Sequence, residues 1–247
     1  MGECTPVVGI NSVRNVLRFA SEGVAELWLV RSRRDRRLSE LAALARAAGV
    51  SIKLSERADL DRAAEGANHQ GAMAWVQVPA PRAERHLDAL LADIDGPPLL
   101  LVLDGVTDPH NLGACLRSAD AAGAHAVIAP KDKAAGLTPI AIKVASGAAQ
   151  CMPFVQVTNL ARTCDLLKQR GLWLIGATED ADATFYQSDL RGPLALVLGS
   201  EGKGMRRLTR ERCDLLARLP MHGRVESLNV SVAAGICLYE AVRQRSI

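Results

Sequence analysis

The sequence predicts an α/β protein in two parts, a small N-terminal α/β unit and a larger C-terminal unit built on a mostly parallel sheet. Three observations predict it. Two continuously apolar runs, Leu99–Leu103 and Leu194–Leu198, read as strands buried on both faces, as parallel strands are. Segments with helical spacing alternate with short apolar runs along most of the chain. Between the two parts lies Pro79-Ala80-Pro81-Arg82-Ala83-Glu84-Arg85, whose prolines and alternating charges read as a linker.

In the N-terminal part, Asn11–Ala20 is expected to be a helix with Val13, Val16 and Leu17 on one side. Leu27–Val30 reads as a strand. Leu38, Leu41, Leu44, Ala45 and Ala48 recur at helical spacing, and Gly49 ends that helix. Ser51–Leu54 and Met73–Val78 read as further strands. The predicted boundaries are residues 5–79 for this unit, 80–96 for the linker with a short helix at Leu87–Asp93, and 97–247 for the larger unit. In the latter, Asn111–Ala122, Ile140–Ala149 and Leu160–Arg170 read as helices, and Ala126–Ala129 and Leu172–Ala177 as strands. The last helix carries an apolar stripe of Leu228, Val232, Ile236, Tyr239 and Val242.

Composition supports folded domains: 49% of the 247 residues are apolar, but only 3% are aromatic, so aliphatic side chains must fill the core. Trp28, Trp75 and Trp173 sit in apolar runs and are expected in the core rather than on a base-stacking surface. A net charge of +3 permits nucleic-acid binding without arguing for it. The densest basic cluster is Arg31, Arg33, Arg34, Arg36 and Arg37, either a solvated surface or a phosphate-contacting patch. The six cysteines are scattered without a Cys-x-x-Cys pair, so neither a zinc site nor any other metal is expected. No apolar run approaches the roughly 20 residues that span a bilayer, and residues 1–11 carry no signal-peptide pattern, so no membrane association and a cytoplasmic location are expected.

Three stretches place polar residues and glycines where strands should end, which is where open α/β sheets bind ligands. The first, Asp104–Asp120, follows a strand and opens a helix. Asn111 there reads as a helix cap or a site residue, and Arg117 lies nearly two turns beyond it. The second, Gly199-Ser200-Glu201-Gly202-Lys203-Gly204-Met205, has neither the phosphate-loop pattern nor the dinucleotide glycine spacing. In the third, Leu219–Ala233, a proline and a glycine bracket a loop leading into the last helix. Ser227 is a reasonable cap, whereas helix propensity gives no reason for Asn229.

In this order the three stretches closely resemble the three motifs of the SpoU family of RNA ribose methyltransferases, within the SPOUT superfamily. Asn111, Gly113 and Arg117 match the first motif; Gly199, Glu201, Gly202 and Gly204 match the second; Pro220 and Ser227–Ser231 match the third. Leu101–Ile128, Gly204–Arg210 and Glu240–Arg245 look like the members that methylate a guanosine of 23S rRNA. Gly9-Ile10 and His69-Gln70-Gly71 look like the small RNA-binding domain of that group.

The resemblance implies an N-terminal RNA-binding domain and a C-terminal SPOUT domain with a deep trefoil knot, formed where the segment after Leu219 threads an earlier loop. It implies a homodimer and an S-adenosylmethionine pocket lined by Gly199, Leu219 and Leu228. The implied reaction is methyl transfer to a ribose 2′-hydroxyl of 23S rRNA, in its peptidyl-transferase region, with Arg117, Asn111, Glu201, Ser227 and Asn229 as the catalytic set. Arg117 either takes the hydroxyl proton or binds a neighbouring phosphate and stabilises the developing alkoxide. An arginine with a free pKa above about 12 favours the second role. The resemblance further implies that Glu201 orients Arg117. Two other readings stay open: a tRNA ribose 2′-O-methyltransferase, and a non-enzymatic ribosome-assembly factor on the same fold.

Overall fold

A computed structural model describes residues 4–31 and 35–246. Arg33 and Arg34 of the basic cluster lie outside the described residues. The chain forms two compact units, one of residues Met1–Ala80 and Leu137–Cys151, the other of Pro81–Gly136 and Met152–Ile247.

The first unit is a four-stranded mixed sheet with helices packed on it. Strand β1 (Cys4–Val8) is followed by α1 (Ile10–Phe19), β2 (Val24–Val30), α2 (Arg36–Ala47), β3 (Ser51–Ser55), α3 (Arg57–Ala63) and β4 (Ala72–Gln77). The spatial order is β1-β4-β2-β3, antiparallel except for β2 and β3. Ile10, Val13, Val16 and Leu17 face inward on α1, and Leu38, Leu41 and Ala45 on α2, against Val7, Leu27, Leu29, Ala74 and Val76 of the sheet. Two helices from later in the chain, α6 (Pro139–Ala145) and α7 (Ala148–Cys151), belong to this unit and pack on β1 and α1. The single helix expected over Ile140–Ala149 is therefore two. Ser146 takes a left-handed conformation with φ of 53°, which closes α6. At Gly147 a Cβ would lie 3.0 Å from the Ser12 carbonyl oxygen and 3.2 Å from Val16, so α1 approaches too closely for a side chain.

The tryptophans are not the core residues expected. Trp28 and Trp75 are half-buried and meet edge to face at 5.7 Å, with Lys53 Nζ 4.0 Å over the Trp28 ring. In the second unit Trp173 is 51% exposed. Strands alternate their side chains, so an apolar run of four or five residues does not say which face a given residue takes.

The second unit holds β5 (Arg82–Ala83), α4 (Leu87–Ala92), β6 (Leu99–Asp104), α5 (Pro109–Ala121), β7 (Ala126–Pro130), β8 (Phe154–Val157), α8 (Leu160–Gln169), β9 (Trp173–Ala177), β10 (Ala183–Thr184), β11 (Leu194–Gly199), α9 (Arg207–Arg210), β12 (Leu215–Arg218) and α10 (Val230–Arg245). Its strands form one sheet in the order β10-β12-β9-β11-β6-β7-β8-β5, parallel at every pairing. The α/β class with a parallel C-terminal sheet is thus as expected. Every residue of β6 and all but the last of β11 are buried, as their unbroken apolar runs require. Their register sets Gly199 beside Asp104, so the strand ends carrying the first two polar stretches are adjacent.

Two helix starts differ from expectation, and both differences matter. Asp108, not Asn111, caps α5 by accepting from the His110 amide at 2.9 Å. Asn229, not Ser227, caps α10 by accepting from the Ser231 amide at 2.9 Å. The face of α10 turned to the interior carries Val230, Ala234, Cys237, Leu238 and Ala241; the helix also packs on α5, with Gly235 facing Ser118. Small residues allow that close approach. Of the predicted stripe, Leu228 precedes the helix, Ile236 and Val242 are half-buried, and Val232 and Tyr239 are 49% and 52% exposed.

Candidate functional site

The centre of the second unit is the turn that leaves β11. Ser200 and Gly204 exchange backbone hydrogen bonds, 3.2 Å from the Ser200 amide and 2.9 Å from the Gly204 amide, so the chain doubles back at once. Gly202 and Gly204 take φ of 75° and 63°, where L side chains are strained. Gly199 has a stricter requirement, because a Cβ there would lie 2.0 Å from the Gly204 carbonyl carbon. Backbone crowding thus fixes Gly199, and positive φ favours glycine at 202 and 204.

This turn stands between two cavities. The first, of about 490 Å³, opens at the carboxyl ends of β9, β11 and β12. That volume lies within the usual range of small-molecule sites, about 300–1,000 Å³. Gly199, Leu219 and Leu228, the three expected cofactor residues, all line it, together with Glu201 and Ser227. Its far wall is a clasp that sequence reasoning missed. The Arg210 guanidinium donates to both carboxylate oxygens of Asp180 at 3.1 and 2.9 Å, and to the Thr178 hydroxyl at 3.3 Å. The Arg210 hydrogen bonds, then that of Thr178, hold the Asp180 carboxyl down at about 2. The available signal was position: Thr178 and Asp180 directly follow a predicted strand, where ligands bind.

The second cavity, of about 360 Å³, lies across the turn and is lined by Asp104, Asn111, Lys133, Lys203 and Arg206, among others. Glu201 lines both cavities. Its Oε1 accepts from Asn111 Nδ2 at 3.1 Å, from Asn229 Nδ2 at 2.7 Å and from the Val230 amide at 3.2 Å. Asn229 Nδ2 also donates to Asn111 Oδ1 at 2.9 Å, while its own Oδ1 caps α10. This accounts for an asparagine at that cap: its Oδ1 accepts from the helix while the two hydrogens of its Nδ2 serve Glu201 and Asn111, one more donor than a hydroxyl cap has. Glu201 Oε2 has no hydrogen-bond partner among the described residues.

Of the five residues expected to act in catalysis, the fold joins Asn111, Glu201 and Asn229 in one hydrogen-bonded group. Ser227 is exposed on the first cavity. Arg117 is exposed on α5, six residues past Asn111, and lines neither cavity. Burial raises the thiols of Cys115, Cys164 and Cys213 to about 12 and that of Cys237 further still, which keeps them protonated near neutrality. Among the described residues no group of three or more His, Cys, Asp or Glu could hold a metal ion, and no helix is long and apolar enough to cross a membrane.

With this geometry in hand, comparison with known proteins is specific. Residues 98–239 match the SpoU rRNA methylase family model, and residues 6–81 match the model for RNA 2′-O ribose methyltransferase substrate binding. The chain is 56% identical over 246 residues to the 23S rRNA (guanosine-2′-O-)-methyltransferase RlmB of Pseudomonas syringae, spanning 100% of this chain and 98% of that protein. It is 54% identical over 240 residues to the RlmB protein of Escherichia coli, spanning 97% and 98%. Among solved structures it resembles the SpoU methyltransferase AviRb of Streptomyces viridochromogenes in complex with the cofactor AdoMet, with a TM-score of 0.75 and 27% identity over 98% of this chain and 91% of that one. The motif residues, the parallel sheet that brings them together and the match over 98–239 lead to one conclusion: the chain belongs to the SpoU rRNA methylase family.

Proposed function

We propose that the chain transfers a methyl group from S-adenosylmethionine to the ribose 2′-hydroxyl of a guanosine in 23S rRNA. The observation that carries this reading is Glu201, which borders both cavities and is held in place by Asn111 and Asn229. A donor site and an acceptor site thus meet at one fixed carboxylate. The full-length likeness to guanosine-2′-O-methyltransferases supports the substrate.

The first cavity fits the cofactor. Its volume suits a nucleoside-sized ligand, the bare Gly199 backbone permits close approach, and the acidic side chains of Glu179, Asp180, Glu201 and Glu226 outnumber the basic ones of Lys203 and Arg210. That balance favours a cation. When bound, S-adenosylmethionine supplies a methyl group already activated on a sulfonium. Gly199, Leu219 and Leu228 hold it, with Ser227 at the rim. The protein's remaining work is orientation and proton removal. Asn111 and Asn229 fix Glu201, whose Oε2 takes a hydrogen bond from the ribose hydroxyl. Arg117 binds a neighbouring phosphate and stabilises the developing alkoxide.

The assignment carries an N-terminal RNA-binding domain at 5–79, a linker at 80–96 and a methyltransferase domain at 97–247 with a deep trefoil knot. It also carries a cytoplasmic location and a homodimer. The exposed apolar face of α10, with Val232 and Tyr239, supports the dimer as a surface that a second copy would cover. The decisive experiment incubates the protein with methyl-labelled S-adenosylmethionine and unmethylated 23S rRNA, beside tRNA, with Arg117→Ala as control. Label on one 23S guanosine ribose, absent with Arg117→Ala, is the expected result. Label on tRNA alone overturns the substrate, and no cofactor binding overturns the enzyme.

A further inference from the structure

The second cavity holds an arginine set up to receive an anion. Asp104 closes β6 with its side chain fully buried. Such a carboxylate is costly unless hydrogen-bonded and paired. Arg206 meets both needs: its backbone amide donates to Oδ2 at 2.8 Å and its Nε to Oδ1 at 2.5 Å. Only one edge of the guanidinium is used. Its two terminal nitrogens have no hydrogen-bond partner among the described residues, and the side chain is 51% exposed. An arginine with its Nε fixed keeps a rigid two-nitrogen fork, the geometry that binds a phosphate bidentately.

Lys133 lines the same cavity and takes φ of 57°. A lysine in the left-handed region is strained where glycine would be comfortable. The segment is held there by the Ala135 amide, which donates to the Val106 carbonyl at 2.8 Å. Lys133 and Lys203 form no ion pair among the described residues. Of the cavity's carboxylates, Asp104 is neutralised by Arg206, Asp108 caps α5, and Glu201 is tied to the two asparagines. The three carboxylates and three cations of the cavity balance, but the carboxylates are engaged by protein donors, so the uncommitted donors, Lys133, Lys203 and the terminal nitrogens of Arg206, are all cationic.

We infer that this cavity is a phosphate clamp for the RNA acceptor strand, in which Arg206, positioned by Asp104, and Lys133 grip a phosphodiester beside the ribose to be methylated. The clamp rests on the reading of the chain as an RNA methyltransferase and gives the acceptor side of that site its ligands. Glu201 forms the wall between clamp and cofactor cavity, so a strand held here has its ribose at the shared boundary.

The test measures binding of unmethylated 23S rRNA to the full chain over a salt series, and S-adenosylmethionine binding separately. The variants are Arg206→Lys, which keeps the charge but loses the fork, and Lys133→Gly, which removes the charge and relieves the strain. Each weakens rRNA binding about five- to twentyfold while leaving cofactor affinity unchanged. Lys133→Gly also lowers the slope of log affinity against log salt by about one, and melts at or above the wild-type temperature. Lys133→Arg restores the slope. Unchanged rRNA affinity in both variants, or a parallel loss of cofactor affinity, overturns the clamp. If wild-type chain methylates rRNA while both variants bind it normally, the clamp alone fails. If the variants lose rRNA binding but wild-type chain transfers no methyl, the reaction assignment fails and the clamp stands.

Discussion

The two cavities flanking the turn at Gly199–Met205 are built on different principles. The first is shaped by backbone: a Gly199 that admits no Cβ, a doubled-back turn with two positive-φ glycines, and a clasp that joins the end of β9 to α9. The second is defined by side chains: a buried carboxylate, a half-engaged arginine and a strained lysine. On the proposed reading, the difference teaches that a site for one invariant cofactor can be fixed by shape, whereas a site for a polyanion depends on charges that water and salt screen. Substitutions on the first side should act abruptly, and those on the second by degrees.

The sharpest way to break this contrast is Gly199→Ala. Its methyl carbon would overlap the Gly204 backbone, so the turn must open. Overpacking of this kind costs about 1–3 kcal/mol or more, and cofactor binding should be lost along with a fall in melting temperature. Calorimetric binding and a thermal melt check both, and a variant that binds normally would refute the account by shape. Next in size is Arg117→Ala, expected to slow methyl transfer by about 100-fold or more, the usual effect of removing a donor to a developing oxyanion. Cofactor affinity should not move; if it does, Arg117 belongs to the first cavity.

Asn111→Ala removes one of three donors to Glu201 Oε1. A lost hydrogen bond to a charged group is worth about 1.5–3 kcal/mol, so single-turnover methyl transfer should slow by about tenfold or more, with rRNA binding retained. The smallest effect belongs to the clasp. Asp180 is lowered from its ordinary 3.8 to about 2, chiefly by Arg210. A carboxylate with a depressed value contributes above its unfolded pKa and loses that contribution as the pH falls through the folded one. The clasp is thus intact at neutrality and released only between about 4 and 2. An NMR titration should place the Asp180 midpoint near 2 and return it toward 3.8 in Arg210→Ala. Because the pair is exposed, Asp180→Asn should weaken cofactor binding only about twofold.

Much of the scaffold was legible in the sequence, for identifiable reasons. Leu99–Leu103 and Leu194–Leu198 could only be doubly covered strands, and α1, α2 and α8 follow from apolar residues repeating at three and four. What escaped were elements too short for a period to show. Strands β8 and β12 are four residues each, and β5 and β10 two, although β8 lies inside the sheet. The stripe on α10 misled because Ala234, Cys237 and Ala241, which are buried, are smaller and less conspicuous than Val232 and Tyr239. The helix at 140–149 was read as continuous because a left-handed Ser146 leaves no mark in composition. In the site, the glycine turn was legible from its strand-end position, whereas Gly199, Leu219 and Leu228, which line the first cavity, were singled out by the family resemblance alone. The Asp180–Arg210 clasp and the Asp104–Arg206 pair were not legible, since nothing local ties residues 30 and 102 positions apart.

The sequence by itself determined the class of fold, the strand ends that bear polar residues and, through its motifs, the family. Only the tertiary structure decided how those strand ends meet. Asn111 and Glu201 are 90 residues apart, and Asn111 and Asn229 are 118 apart, yet they share hydrogen bonds. Strand order and register bring them together, and these follow from the packing of helices across the whole sheet, whereas periodicity reports only which face of a single element is buried.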